Sequence, residues 1–105
     1  MNDTMKIRAQ LKSGITEIKV LMSHPMETGR RKNEFGDIEP AHFIQLVTAT
    51  LNGKTVLETQ WGTGISKNPY LTFRLNTAKV GDKVAVRWLD NKGDSGTIET
   101  SVIAA

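Results

Sequence analysis

The sequence predicts an all-β, immunoglobulin-like antiparallel β-sandwich of about seven strands, on three observations. Period-2 alternation of apolar and polar residues dominates the chain. Gly, Pro and Asn-Gly turn signals punctuate it at short intervals. No segment carries a helical stripe of apolar residues. The 105 residues suffice for one two-layer core and are too few for two, so one domain covering residues 1–105 is expected.

The first strand is Lys6-Ile7-Arg8-Ala9-Gln10-Leu11-Lys12, where apolar and polar residues alternate as on a half-buried strand. Gly14 ends it, and a second strand follows with Ile18, Val20 and Met22 on one face. Ser23 to Ala41 holds Pro25, Gly29, Gly36 and Pro40 and has neither period. It reads as a long loop, a kind that is often functional, with a short strand near Phe35 to Ile38 as the alternative.

Asn52-Gly53 then sits between two β-rich segments, and both residues tolerate the positive φ of a type I′ hairpin turn. Strict alternation from that turn pairs Thr50 with Thr55, Thr48 with Leu57, Leu46 with Thr59 and Ile44 with Trp61. One face of this hairpin would carry Ile44, Leu46, Leu57 and Trp61, the other Phe43, Val47, Ala49 and Val56. Both are apolar, and a lone sandwich buries only one. Alternation alone does not assign the faces: Trp61 favours the first set as the inner one, with Phe43, Val47, Ala49 and Val56 then meeting a partner, but aromatic residues are also enriched in interfaces.

Pro69 precedes a strand with Leu71, Phe73 and Leu75 on one side and Tyr70, Thr72 and Arg74 on the other. Val80-Gly81-Asp82 is a turn, and Val84, Val86 and Trp88 share a face of the strand after it. Asp90-Asn91-Lys92-Gly93-Asp94 turns into a last strand with Ile98, Thr100 and Val102 on one face. The expected core includes Ile7, Leu11, Ile18, Val20, Leu71, Phe73, Val84, Val86 and Trp88.

The formal charge of +3 is mildly basic and, along the chain, dispersed. The densest cluster, Arg30-Arg31-Lys32, is flanked by Glu27 and Glu34. Nucleic-acid proteins show longer basic stripes with interleaved aromatics, so an acidic protein or a small anion is the better partner. No apolar run approaches the roughly 18 residues of a membrane span, so neither nucleic acid nor membrane is an expected partner. The chain has no cysteine, which excludes disulfides, thiolate metal sites and cysteine nucleophiles. Met1 to Lys12 lacks the apolar core of a signal peptide, which read alone points to the cytoplasm.

Candidate chemistry is sparse. His24 and His42, with Met22 and Met26 nearby, suggest copper, but a blue-copper site needs a cysteine thiolate. The two histidines are therefore expected to be loop or edge residues bonded to backbone, and no metal or cofactor is expected. Ser23-His24 with scattered aspartates is discounted as a triad, because geometry defines a triad and adjacent residues in a strand point to opposite faces. Nothing suggests that Asp37 and Glu39 are a buried acid pair. Gly62-Thr63-Gly64-Ile65-Ser66-Lys67 lacks the spacing of a phosphate loop and precedes a strand rather than a helix. Arg30, Arg31 and Lys32 read first as a solvated loop, with Coulomb steering of a partner as the functional alternative. The residues thus describe a binding module rather than an enzyme. The rival readings are a generic immunoglobulin-like interaction module of another heteromeric complex and a small redox or metal enzyme.

Four blocks of the chain resemble the SoxZ family. His24-Pro25-Met26-Glu27-Thr28-Gly29-Arg30-Arg31-Lys32 looks like its signature loop. Glu39-Pro40-Ala41-His42-Phe43-Ile44 is close to its I-P-A-H-F-I pattern, with Glu39 where Ile is usual. Gly64-Ile65-Ser66-Lys67-Asn68-Pro69-Tyr70-Leu71 resembles a third block, and Gly81-Asp82 through Trp88 to Asp90-Asn91 and Gly93 a fourth. The resemblance implies a non-catalytic subunit that pairs with SoxY, a second immunoglobulin-like sandwich. SoxY carries thiosulfate-derived sulfur on the single cysteine of a glycine-rich arm and presents it to periplasmic enzymes, which the SoxZ subunit would also touch transiently. Export bound to that partner reconciles the N-terminus with the periplasm. Beside the hairpin, Arg30, Arg31 and Lys32 are candidate partner contacts through their charge, and Lys67, Asn68 and Tyr70 through the Gly64 to Tyr70 segment, the better candidate if the hairpin is not the contact.

Overall fold

The computed structural model describes residues 5–105, so Met1 to Thr4, part of the N-terminal segment read above, lie outside it. There is no helix among the described residues. Eight strands form two sheets: β1 (Lys6–Lys12), β2 (Ile15–Leu21), β3 (Ile44–Leu51), β4 (Lys54–Gln60), β5 (Tyr70–Leu75), β6 (Lys83–Asp90), β7 (Ser95–Ser101) and β8 (Ile103–Ala104). The first sheet runs β5-β2-β1-β8 and the second β4-β3-β6-β7. All pairings are antiparallel except β1 with β8. Without the two-residue β8, this is the A-B-E and C′-C-F-G division of an immunoglobulin-like sandwich.

Local sequence explains the hairpins. Ser13 and Gly14, at φ 54° and 80°, join β1 to β2. Asn52 and Gly53, at 51° and 85°, join β3 to β4 in the two-residue turn that the sequence predicts. Ile18, Val20, Val84 and Val86 have no exposed surface, while Ile7, Leu11, Leu71, Phe73 and Trp88 pack partly buried against that core. Burying each large aliphatic side chain contributes about 1.5–3 kcal/mol, and these faces come from both sheets, so they hold the sheets together. Trp88 lies over Gly96, its cross-strand neighbour, and a Cβ built there would sit 2.5 Å from Trp88 Nε1.

Two bulges overturn the expected hairpin register. Leu51 pairs with Lys54 and Thr50 with Thr55, but Ala49 then pairs with Leu57, Thr48 with Glu58, Val47 with Thr59 and Leu46 with Gln60. Val56 is the extra residue on β4. It moves Leu57 from the outward row of Thr48 to the inward row of Ala49, where it packs on the core. On β3, Gln45 is the extra residue between Ile44 and Leu46, opposite Asp90 and Leu89. Ile44 is thereby turned inward with Val47 and Ala49 instead of outward with Leu46.

The set expected to face a partner must be corrected accordingly. Val47 and Ala49 are each 0% exposed and belong to the chain's own core, and Phe43 and Val56 pack against it. The outward row of β3 is Leu46, Thr48 and Thr50. Leu46 pairs with Leu89 of β6 on that face, and Phe43, Gln45, Gln60 and Trp61 complete the lining of a shallow open depression around them.

Candidate functional site

The core-facing rows of two strands, one from each sheet, end in polar groups. Along β2 every second residue is buried, from Thr16 through Ile18 to Val20, and the row continues past the strand into Met22, His24 and Met26. Along β6 the buried row of Val84 and Val86 runs through Trp88 to Asp90. His42 precedes Ile44 by two residues. Three polar side chains therefore converge at one end of the sandwich, beneath the segment between residues 23 and 41.

Asp90 is their centre. Its Oδ2 accepts hydrogen bonds from His24 Nε2 at 2.9 Å and His42 Nε2 at 2.7 Å. Its Oδ1 accepts the backbone N–H groups of Lys92 and Asp94, both at 2.9 Å. The Asp90 and His24 side chains are almost completely buried, whereas that of His42 is 22% exposed. Burial alone would raise the Asp90 pKa. The bonds from His24 and His42 and from the two amides outweigh it and hold the carboxyl below the usual aspartate value.

The tautomer of His24 follows from its surroundings. Its Nδ1 accepts the N–H of Met26 at 3.1 Å, so its proton is on Nε2, facing Asp90. Met26 reaches back in this way because it adopts φ 48°, a left-handed conformation uncommon for such a side chain. The His24 ring meets His42 edge-on at 4.6 Å between centroids and Trp88 at 5.1 Å. His42 Nδ1 makes no hydrogen bond to protein among the described residues, its one ring hydrogen bond being that of Nε2 to Asp90.

Backbone and amide contacts tie the neighbouring segments to this centre. Asn68 brackets His24: its Oδ1 accepts the His24 N–H at 3.1 Å and its own N–H donates to the His24 carbonyl at 2.9 Å. Asn91 holds the approach to β3, accepting from Phe43 N at 2.8 Å and donating to the Ala41 carbonyl at 2.9 Å. His42 and Glu27 exchange both backbone hydrogen bonds, at 2.7 and 3.0 Å. Gly29 adopts φ +85°, and a Cβ there would sit 3.2 Å from the Ala41 Cβ, so conformation and space both call for glycine. In place of a short strand near Phe35 to Ile38, an isolated bridge joins Lys32 and Ile38, with Asn33 capping the turn.

Two imidazoles and a carboxylate are adequate ligands for zinc or copper, and their donor atoms lie within 4.8 Å of one another. The spacing fits proton sharing better. Ligands about 2.0–2.1 Å from one tetrahedral ion lie roughly 3.3 Å apart. The separations here are 2.7 and 2.9 Å, and Nε2 of His24 carries a proton. The arrangement pins the 23–41 segment and the β6–β7 turn to the end of the sandwich. The expectation that both histidines bond to backbone holds only for His24 Nδ1.

The other expected site residues divide. Arg31 is paired: its Nε donates to both oxygens of Glu27 at 3.0 Å, and the same guanidinium holds the Glu27 carboxyl below its ordinary value. Arg30 and Lys32 are exposed, but Glu34, Asp37 and Glu39 share their segment, so the cluster is not a net positive patch. Lys67 and Asn68 are exposed beside His24, and Tyr70 is 61% exposed on the outer face of the first sheet. Asn68 thus has a structural task that its position in the third block did not reveal.

Sequence reasoning missed Asp90, which it read as part of a turn. The usable signal was row parity: a carboxylate and a histidine each continue a core-facing row, and such groups need partners when buried.

Residues 5–101 match the family model for sulphur oxidation protein SoxZ. A search of curated proteins returns no match to the chain.

Proposed function

The chain belongs to the SoxZ family, which places it in sulfur oxidation, and on that premise we propose that it is the non-catalytic scaffold subunit of a sulfur-compound carrier complex. It pairs permanently with a SoxY-like subunit whose arm cysteine carries thiosulfate-derived sulfur, and it works in the periplasm. The observation that carries this reading is a family match over nearly the whole of a chain that contains no cysteine. Sulfur attachment uses a thiolate nucleophile, so the carrier thiol must come from another chain. The outer face of the second sheet supports pairing. Leu46 and Leu89 lie side by side there, bordered by Phe43 and Trp61, and apolar groups clustered on an open sheet face favour a protein contact. The cluster around Asp90 then serves to hold the family's signature loop in one conformation.

Co-expression with a subunit bearing a glycine-rich, cysteine-containing arm, followed by pull-down, tests the reading. The parent chain should co-purify in equal amounts with that subunit. Leu46→Asp should leave the isolated chain folded and weaken pairing at least tenfold, because a charge at the centre of an interface typically costs 2 kcal/mol or more. Val47→Asp should unfold the chain instead, its side chain being 0% exposed. A parent chain that captures no such subunit refutes the function. Full co-purification of both Leu46→Asp and Leu89→Asp refutes this pairing surface.

A further inference from the structure

The net charge looks dispersed along the sequence but is gathered on one side of the fold. The outward row of β1 is Lys6, Arg8, Gln10 and Lys12, that of β2 includes Glu17, Lys19 and Leu21, and that of β5 is Tyr70, Thr72 and Arg74. Five cations and one carboxylate therefore share the outer face of the first sheet, an excess larger than the +3 of the entire chain. On the second sheet, Glu58, Lys83, Arg87 and Glu99 balance one another.

Glu17 is engaged with Arg74 at 3.1 Å and Lys19 at 3.5 Å. Lys6, Arg8 and Lys12 make no ion pair among the described residues. Arg8 stands directly opposite Lys19 on the β1–β2 ladder, and like charges in that position destabilise a sheet. The fold gains nothing from this placement. Around it Lys6, Arg8, Lys19, Leu21 and Tyr70 line an open depression. Tyr70 follows Asn68 and Pro69, so this basic area adjoins the end of the sandwich where the Asp90 cluster holds the loop.

Such a face lacks the enclosing donors that a small anion needs. Its cations act together on an extended surface of opposite charge, with an exposed tyrosine to complete a contact. We propose that the outer face of the first sheet, centred on Lys6, Arg8 and Lys19 around Leu21 and Tyr70, is the docking surface for a folded protein partner with a carboxylate-rich patch, separate from the subunit-pairing face. This rests on the carrier reading: the partners are the enzymes that load and unload the thiol of the complex, and the scaffold subunit steers them.

The test uses the intact two-subunit complex and each purified enzyme that loads or unloads its thiol. Arg8→Glu with Lys19→Glu is compared with Lys54→Glu with Lys83→Glu, the same charge change at the far hairpin end of the second sheet. Subunit pairing, the second-order rate of sulfur transfer and its dependence on salt are measured. The first pair should slow association with at least one enzyme about tenfold or more at low ionic strength and flatten the salt dependence. Pairing and the rate at saturation should be unchanged. The control pair should slow association by less than about twofold. Equal effects of the two pairs, or no effect of the first, overturn the proposal. Loss of subunit pairing in the Arg8→Glu, Lys19→Glu complex also overturns it, by making this face the pairing surface. Failure of the parent chain to pair at all overturns the carrier reading and this proposal with it, whereas the other adverse results leave that reading standing.

Discussion

Replacing Asp90 by Asn changes little in shape and much in hydrogen bonding. The amide oxygen can still accept from Lys92 and Asp94. The amide nitrogen would then face His24 and His42, where Oδ2 now accepts two N–H groups. His42 can adapt by moving its proton to Nδ1. His24 cannot, because a proton on Nδ1 would point at the N–H of Met26. One N–H of His24 and one of the new amide are left facing each other without acceptors in a buried site. An unsatisfied buried donor costs about 1–3 kcal/mol, and the lost bonds to a charged group are worth about 1.5–3 kcal/mol each. The destabilisation should be about 3 kcal/mol, or roughly 12–20 °C in melting temperature for a domain of this size. Urea and thermal unfolding of purified Asp90→Asn and parent chains measure it. Asp94→Asn is the control, since that side chain is 71% exposed and 4.0 Å from His42. It should cost less than about 0.5 kcal/mol. If Asp90→Asn lies within 0.5 kcal/mol of the parent, or if the two variants cost the same, the carboxylate does not organise the cluster.

Other outcomes follow from the same contacts. The folded-state pKa of Asp90 is depressed, so the stability it contributes is complete above the ordinary aspartate range and is lost as pH falls through that range toward the folded value. Parent stability from this source should be flat above about pH 5 and decline below about pH 4, and the Asp90→Asn chain should lack that part of the decline in urea titrations at stepped pH. A parallel acid slope in both chains would assign the decline to other carboxylates. Gly96→Ala should destabilise by about 1–3 kcal/mol in the same assay and alter Trp88 fluorescence, because the indole must move away from the new methyl group. Unchanged emission and stability would show that the ring has room.

The alternation of apolar residues in β1, β2, β5 and β6 made the sandwich and most of its core legible in the sequence, because facing in or out on a strand is a local property with a period of two. Asn52-Gly53 was equally legible, since few dipeptides accept two positive φ values in succession. The bulges at Val56 and Gln45 were not. They are decided by what each side chain gains across the sandwich, and one inserted residue exchanges the two faces of everything beyond it. This is why Ile44 and Leu57 lie on the inner face with Val47 and Ala49 rather than on the outer one with Leu46. The Asp90 cluster joins residues 48 and 66 positions apart, and no local period can bring such residues together. Nor does the sequence alone show the basic face, for it arises only when the outward rows of β1, β2 and β5 are laid side by side. The sequence by itself determined which strands form and which way most of their residues point. The tertiary structure decided which rows become neighbours, because that depends on burial and pairing summed over the whole chain.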